Sequence, residues 1–172
     1  HALTSPAGTL VPPAPLFSQQ EEPEHAHAMA TKTLPDIAED MQDIDIAMLA
    51  TKTAAGEITS RPMSNNGDVE YRGDSHYFTH ATSRLAAEIA HDPRVTLTFT
   101  VEPGLLTGGG TFIAVQGQAE LVHDKARFAK HWNSDLDLYF EHGVDTPNLV
   151  MIKVHANHIR YWYGAEQGEF DV

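Results

Sequence analysis

Ser60-Arg61-Pro62-Met63-Ser64 and Tyr77-Phe78-Thr79-His80-Ala81-Thr82-Ser83-Arg84 lie about twenty residues apart and organise the rest of the chain around them. The first stretch reads as a strand carrying an arginine and ending in a hydroxyl. The second reads as a strand that passes, across a three-residue break, into the start of a helix capped by Thr82 or Ser83. Such a pair offers an anion two guanidinium forks, several hydroxyls and the free N–H groups of a helix N-terminus, which together suit a phosphate. Arg61 and Arg84 read equally well as surface partners for acidic residues, and spacing alone does not choose between the two.

Outward from this pair the pattern is mostly strands. Ile46 to Thr53 and Ile58 to Asn65 read as a hairpin about the Ala54-Ala55-Gly56-Glu57 turn, and Asn65-Asn66-Gly67-Asp68 closes it with turn chemistry. A strand runs from about Ser75 to Thr79. Val95, Leu97, Phe99 and Val101 alternate, as do Ile113, Val115, Gly117, Ala119 and Leu121. Val150, Ile152 and Val154 mark another strand, and Ile159 to Tyr163 a last one after a turn at Ala156-Asn157. Helices are few. One is expected after Leu34-Pro35 with Asp36 as cap, carrying Ile37, Met41 and Ile44 on one stripe. A second follows Ser83 and stops before Pro93. His123 to Phe140 reads as one or two helices, with Phe128, Trp132, Leu136 and Phe140 four apart. Short strands at close intervals favour a small closed antiparallel barrel with peripheral helices.

At 172 residues the chain suits one domain, preceded by an extended tail. Residues 1–35 are rich in Pro, Ala, Ser and Gln and lack periodicity, so the folded domain is placed at 36–172. A formal charge of −13 opposes binding to nucleic acid or an anionic membrane, and no apolar run is long enough to span a bilayer. There is no cysteine, which removes disulfides, thiolate metal sites and cysteine nucleophiles and suits a cytoplasmic protein.

Eleven histidines raise the question of a metal. His76 and His80 share a strand face but lie about 13 Å apart, too far for one ion. His155 and His158 flank the expected turn and could converge there. HExxH is absent from the sequence, and no functional metal is expected. The Gly108-Gly109-Gly110 run lacks the Lys-Ser/Thr of a phosphate loop and precedes a strand, so it reads as a hairpin connection. No nucleophile elbow or catalytic triad is present.

The order of Arg-Pro-Met-Ser, Tyr-Phe-Thr, Ser83-Arg84, Glu88-Ile89-Ala90-His91-Asp92-Pro93-Arg94-Val95, Gly117-Gln118-Ala119-Glu120-Leu121-Val122, His131-Trp132-Asn133 and Ile159-Arg160-Tyr161-Trp162 resembles the FMN-binding split barrels related to pyridoxamine phosphate oxidase. Within that superfamily it looks most like the general stress protein branch. The resemblance covers roughly residues 37–163 and implies a mainly β fold: an antiparallel, Greek-key-like split β-barrel with peripheral helices. It implies that Arg61, Ser83 and Arg84 hold the FMN phosphate. Pro62, Met63 and Ser64 would line the isoalloxazine, and Phe78 and Thr79 would face the ring and ribityl chain. It further implies a homodimer with FMN at the subunit interface, where Trp132 reaches the other subunit's cofactor. The loop at 104–110 and Tyr139-Phe140-Glu141-His142-Gly143 depart from the family pattern on the substrate side.

With a bound flavin, no side-chain acid or base is needed, and no catalytic residue is assigned. Three functions stay open: an FMN-dependent oxidoreductase acting on a small molecule, a non-catalytic flavin-binding or flavin-sensing stress protein, and a split barrel that takes another ligand such as haem or a deazaflavin, or serves as a dimeric interaction module.

Overall fold

The computed structural model describes residues 32–67, 70–101 and 110–172. The tail through Thr31, Asp68 of the Asn-Asn-Gly-Asp turn and the glycine-rich loop up to Gly109 lie outside them. The elements run α1 (Leu34–Gln42), β1 (Ile46–Lys52), β2 (Ile58–Ser64), β3 (Asp74–His80), α2 (Arg84–His91), β4 (Arg94–Val101), β5 (Thr111–Val122), α3 (Lys125–Phe128), two 3-10 turns (Ser134–Leu138 and Gly143–Asp145), β6 (Leu149–Tyr163) and β7 (Glu166–Asp171).

All strand pairings are antiparallel. Among the described residues the sheet has seven strands in the order β2-β1-β4-β5-β6-β3, with β7 added to β6. The mainly β, split-barrel-like expectation holds, but the ladder does not close. β2 and β3, which carry the two stretches quoted first, end its path and leave a seam instead of the closed barrel that strand counting suggested.

Period-two alternation sends one set of side chains inward. The register aligns Arg61, Leu49, Leu97, Val115 and Ile159 in one row across five strands. The last four are fully buried, and Arg61 ends the row at the β2 edge. Ile37 and Met41 of α1 and Leu85 and Ile89 of α2 pack on this core. A second cluster gathers Phe78, Val122, Phe128, Leu136, Phe140, Leu149 and Met151, with Trp132 against it.

The expected Ala156-Asn157 turn does not form; β6 runs unbroken through it. A register shift between Gln116 and Gly117 pairs Gln116 with His158 and Gly117 with Ala156, leaving Asn157 as the extra residue of a bulge. A Cβ at Gly117 would stand 2.2 Å from the His155 carbonyl oxygen. Gly117→Ala must therefore move a backbone, and is expected to lower unfolding free energy by about 1–3 kcal/mol in urea titrations; an unchanged midpoint would contradict the bulge geometry.

The one or two helices expected over 123–140 are a four-residue α3 and a 3-10 turn. Asp124 Oδ1 accepts from Ala126 N at 3.0 Å and Asn133 Oδ1 from Leu136 N at 3.2 Å, so two capping side chains start two short turns in place of longer helices. The apolar stripe still buries Phe128, Leu136 and Phe140. At α1, Thr33 precedes the first turn and Asp36 reaches back to its N and Oγ1 at 2.6 and 2.7 Å, so Asp36 closes the cap from within the helix. Lys32 already belongs to the fold, donating from its backbone N to Tyr161 Oη at 2.9 Å. β7 was not foreseen: its residues are polar and mostly exposed, and a positive-φ turn at Gly164 folds it back on β6.

Candidate functional site

β3 enters α2 through a tight connection. Ala81 N donates to Asn148 O at 2.7 Å and Ser83 N to His80 O at 2.9 Å. Ser83, not Thr82, is the cap: its Oγ accepts from Ala86 N at 3.1 Å and from Thr79 Oγ1 at 3.0 Å. The last residues of β3 and the N-terminus of α2 are thereby one hydrogen-bonded unit.

Arg61 and Arg84 do come together, and what joins them is Glu88. Arg61 Nη2 donates to Glu88 Oε2 at 2.7 Å and to Thr59 Oγ1 at 2.8 Å, and its Nη1 donates to Thr51 Oγ1. Arg84 Nε donates to Glu88 Oε1 at 2.8 Å across one helical turn. Thr51 and Thr59 hydroxyls also donate to Glu88 Oε2, at 2.6 and 3.1 Å. Glu88 is 5% exposed, whereas the Arg61 and Arg84 side chains are 23% and 72% exposed. Burial raises the Glu88 pKa, and the hydrogen bonds from Thr51, Arg61, Arg84 and Thr59 more than cancel that, leaving it at about 2.

A carboxyl held at about 2 against an ordinary 4.5 adds stability above pH 4.5, and that contribution is lost as pH falls toward 2. The wild-type chain should exceed Glu88→Gln in stability at neutral pH by on the order of 3 kcal/mol, with the gap closing across that window in urea titrations. A gap independent of pH would contradict the ionised, hydrogen-bonded carboxylate.

Beside this cradle, a cleft of about 250 Å³ is lined by Ile46, Pro62, Met63, Ser64, Phe78, Thr79, Leu136, Tyr139 and Phe140. It occupies the seam, with β2 on one side and β3 on the other. Met63 and Phe78 are buried, while Tyr139 is 70% exposed. Trp132 stands edge-on to Phe78, with ring centroids 4.8 Å apart, and its Nε1 donates to Asp137 Oδ1 at 2.9 Å. His131, next to it, stacks on His76 of β3 at 3.6 Å and pins this segment to the sheet. Burial, then the neighbouring His131 charge, push the His76 pKa down to about 4, so that ring is neutral at pH 7.

All nine residues singled out from the sequence thus fall in one region. Pro62, Met63, Ser64, Phe78 and Thr79 line the cleft, Ser83 is hydrogen-bonded to Thr79, Arg61 and Arg84 meet at Glu88, and Trp132 supports Phe78 within the same chain. Sequence reasoning missed Glu88, Thr51 and Thr59 as parts of the cradle. The Arg84/Glu88 spacing of four was the available signal for the first. The histidines expected to converge do not: His155 Nδ1 meets Asp74 Oδ1 and His158 Nδ1 meets Asp171 Oδ1, each at 2.7 Å, on one continuous strand. Among the described residues no three or more His, Cys, Asp or Glu side chains gather as a metal site.

Residues 32–171 match the family described as pyridoxamine 5'-phosphate oxidase like, and the chain belongs to that family. Solved structures share the fold. A protein from Clostridium acetobutylicum described as related to general stress protein 26 superposes with a TM-score of 0.67 at 18% identity, covering 81% of this chain and 94% of its own. General stress protein 26 of Bacillus anthracis gives 0.60 at 20% identity, covering 77% and 92%. A haem binding protein of Mycobacterium smegmatis gives 0.62 at 16% identity, covering 81% and 60%. A search of curated protein sequences finds no match. No helix among the described residues is long and apolar enough to cross a membrane.

Proposed function

We propose that the protein binds FMN in the seam between β2 and β3 and works as a redox protein of the general stress type in the cytoplasm, on a small molecule. The observation that carries this is the junction of an apolar-walled cleft, lined by Met63, Ser64, Phe78 and Thr79, with a two-arginine cradle at the start of α2. The residues fit the group. The cleft suits a flat ring, and Arg61 and Arg84 are the more exposed members of a network whose carboxylate is buried. β2 and β3 end the hydrogen-bonded path, so their outer edges can offer backbone groups to a ring. The flavin, when bound, supplies the redox chemistry; the chain supplies position and charge. FMN added to the purified protein should raise its melting temperature and quench flavin fluorescence. A colourless protein whose melting temperature ignores FMN would favour the other ligand chemistries, of which haem has a structural precedent in the Mycobacterium smegmatis protein.

The proposed assembly is a homodimer. One register row places Pro62, Met48, Thr98 and Ala114 side by side on the outward face of the sheet. Ile46, Met48, Ile58 and Phe112 are 50%, 39%, 71% and 46% exposed on the same strands, a patch a second copy would cover. Sedimentation should give twice the chain mass of 18.9 kDa, and Met48→Glu should shift it toward monomer; a monomeric wild type would overturn the dimer and the contact of Trp132 with a partner's flavin.

A further inference from the structure

We infer that Glu88 is the positioning residue of the phosphate site: its buried carboxylate holds Arg61 and Arg84 together from behind, so that a phosphate group meets two guanidinium forks already in place. This rests on the FMN reading of the seam and adds what makes the cradle selective for a phosphorylated flavin. Two arginines from different elements, β2 and α2, repel each other unless an anion lies between them. Here that anion is internal. Glu88 gives one oxygen to each, Oε2 to Arg61 at 2.7 Å and Oε1 to Arg84 at 2.8 Å.

The layering shows which side faces a ligand. Glu88 is 5% exposed, Arg61 23% and Arg84 72%, so the carboxylate backs the site and the guanidinium groups front it. Thr51 and Thr59 fix the carboxylate from β1 and β2, donating to the same Oε2, and also accept from Arg61. Arg61 is thus held in one orientation, with three of its hydrogen bonds directed inward. Arg84 is held through Nε, while its side chain stays largely exposed. With both long side chains already ordered, binding loses less conformational freedom than it would with two loose arginines. The pair is anchored on the helix whose capping Ser83 joins Thr79 of the ring cleft, so the cradle is fixed relative to the flavin ring as well.

The test measures FMN and riboflavin dissociation constants for the wild type, Glu88→Gln and Thr59→Val, with circular dichroism confirming folding at the assay temperature. Riboflavin has the ring and ribityl chain without the phosphate, so the ratio of the two constants isolates the cradle. Glu88→Gln is expected to lower the FMN-over-riboflavin preference at least tenfold, and Thr59→Val severalfold. A merely structural role would weaken both flavins alike and leave the ratio where it was, which would overturn the inference. A ratio that rises on removing the charge would also overturn it, since Glu88 would then be repelling the phosphate. Should Glu88→Gln fail to fold, Thr59→Val decides by the same ratio. A wild type that binds neither flavin overturns the FMN reading itself, an outcome distinct from FMN binding that is indifferent to Glu88.

Discussion

Arg61→Ala should weaken FMN binding by roughly 1.5–3 kcal/mol, the worth of a hydrogen bond to a charged group, while leaving riboflavin within a factor of two or so. Arg61 stands at the edge end of an otherwise apolar row, next to Leu49, and its guanidinium bonds Glu88 of α2 and is not among the residues that line the cleft. Some stability is lost as well. Glu88 keeps Arg84, Thr51 and Thr59, so the loss should stay below the roughly 3–5 kcal/mol of a buried charge left with no partner. Calorimetric titration of both flavins against the variant separates the two effects. Equal weakening of FMN and riboflavin would place Arg61 outside a phosphate site.

Phe128→Ala should cost about 3–5 kcal/mol, the range for deleting a buried aromatic ring. Phe128 is fully buried and meets Phe78 edge-on, with centroids 5.5 Å apart. Phe78, Leu136 and Phe140 share its cluster and also wall the cleft. The void left by the ring therefore opens behind the wall of the cleft. Melting temperature should fall by on the order of 10 °C, and FMN and riboflavin should weaken together, unlike the phosphate-specific loss at Arg61. A variant as stable as wild type would contradict the packing of α3 under β3.

The parts of the fold written in period and punctuation were legible in advance. β1 to β5 and the start of α2 follow from alternation, turn chemistry and a cap expected at Thr82 or Ser83. Where sequence misled, a non-local contact was in control. Ala156-Asn157 looks like a turn because Asn and small residues make turns. It is a bulge because β5 pairs along both sides of it, and that needs Gly117, forty residues earlier, to admit the His155 carbonyl. The stripe from Phe128 to Phe140 announced burial correctly. Its helical geometry was lost to Asp124 and Asn133, which cap short turns of their own. β7 has little apolar signal to read, since pairing with β6 holds it and Phe170 alone of its residues packs on the core.

The site followed the same logic. The nine residues drawn from motif order are neighbours in space, because β2 and β3 end the sheet's path on the two sides of one seam. Glu88 belongs to one of the motifs but had no place in the expected site, because an acidic residue on a helix ordinarily reads as a solvated face. Its burial depends on α2 packing on β1, where Thr51 of β1 and Thr59 and Arg61 of β2 bond its carboxylate, and no local window contains that arrangement.

The visible absorption spectrum of the purified protein, with the released ligand identified by mass, tests the seam as a flavin site most directly. The expected result is a flavin spectrum, or its appearance on adding FMN, with FMN as the released species. A protein that stays colourless in excess FMN, or that releases a different chromophore, would contradict it.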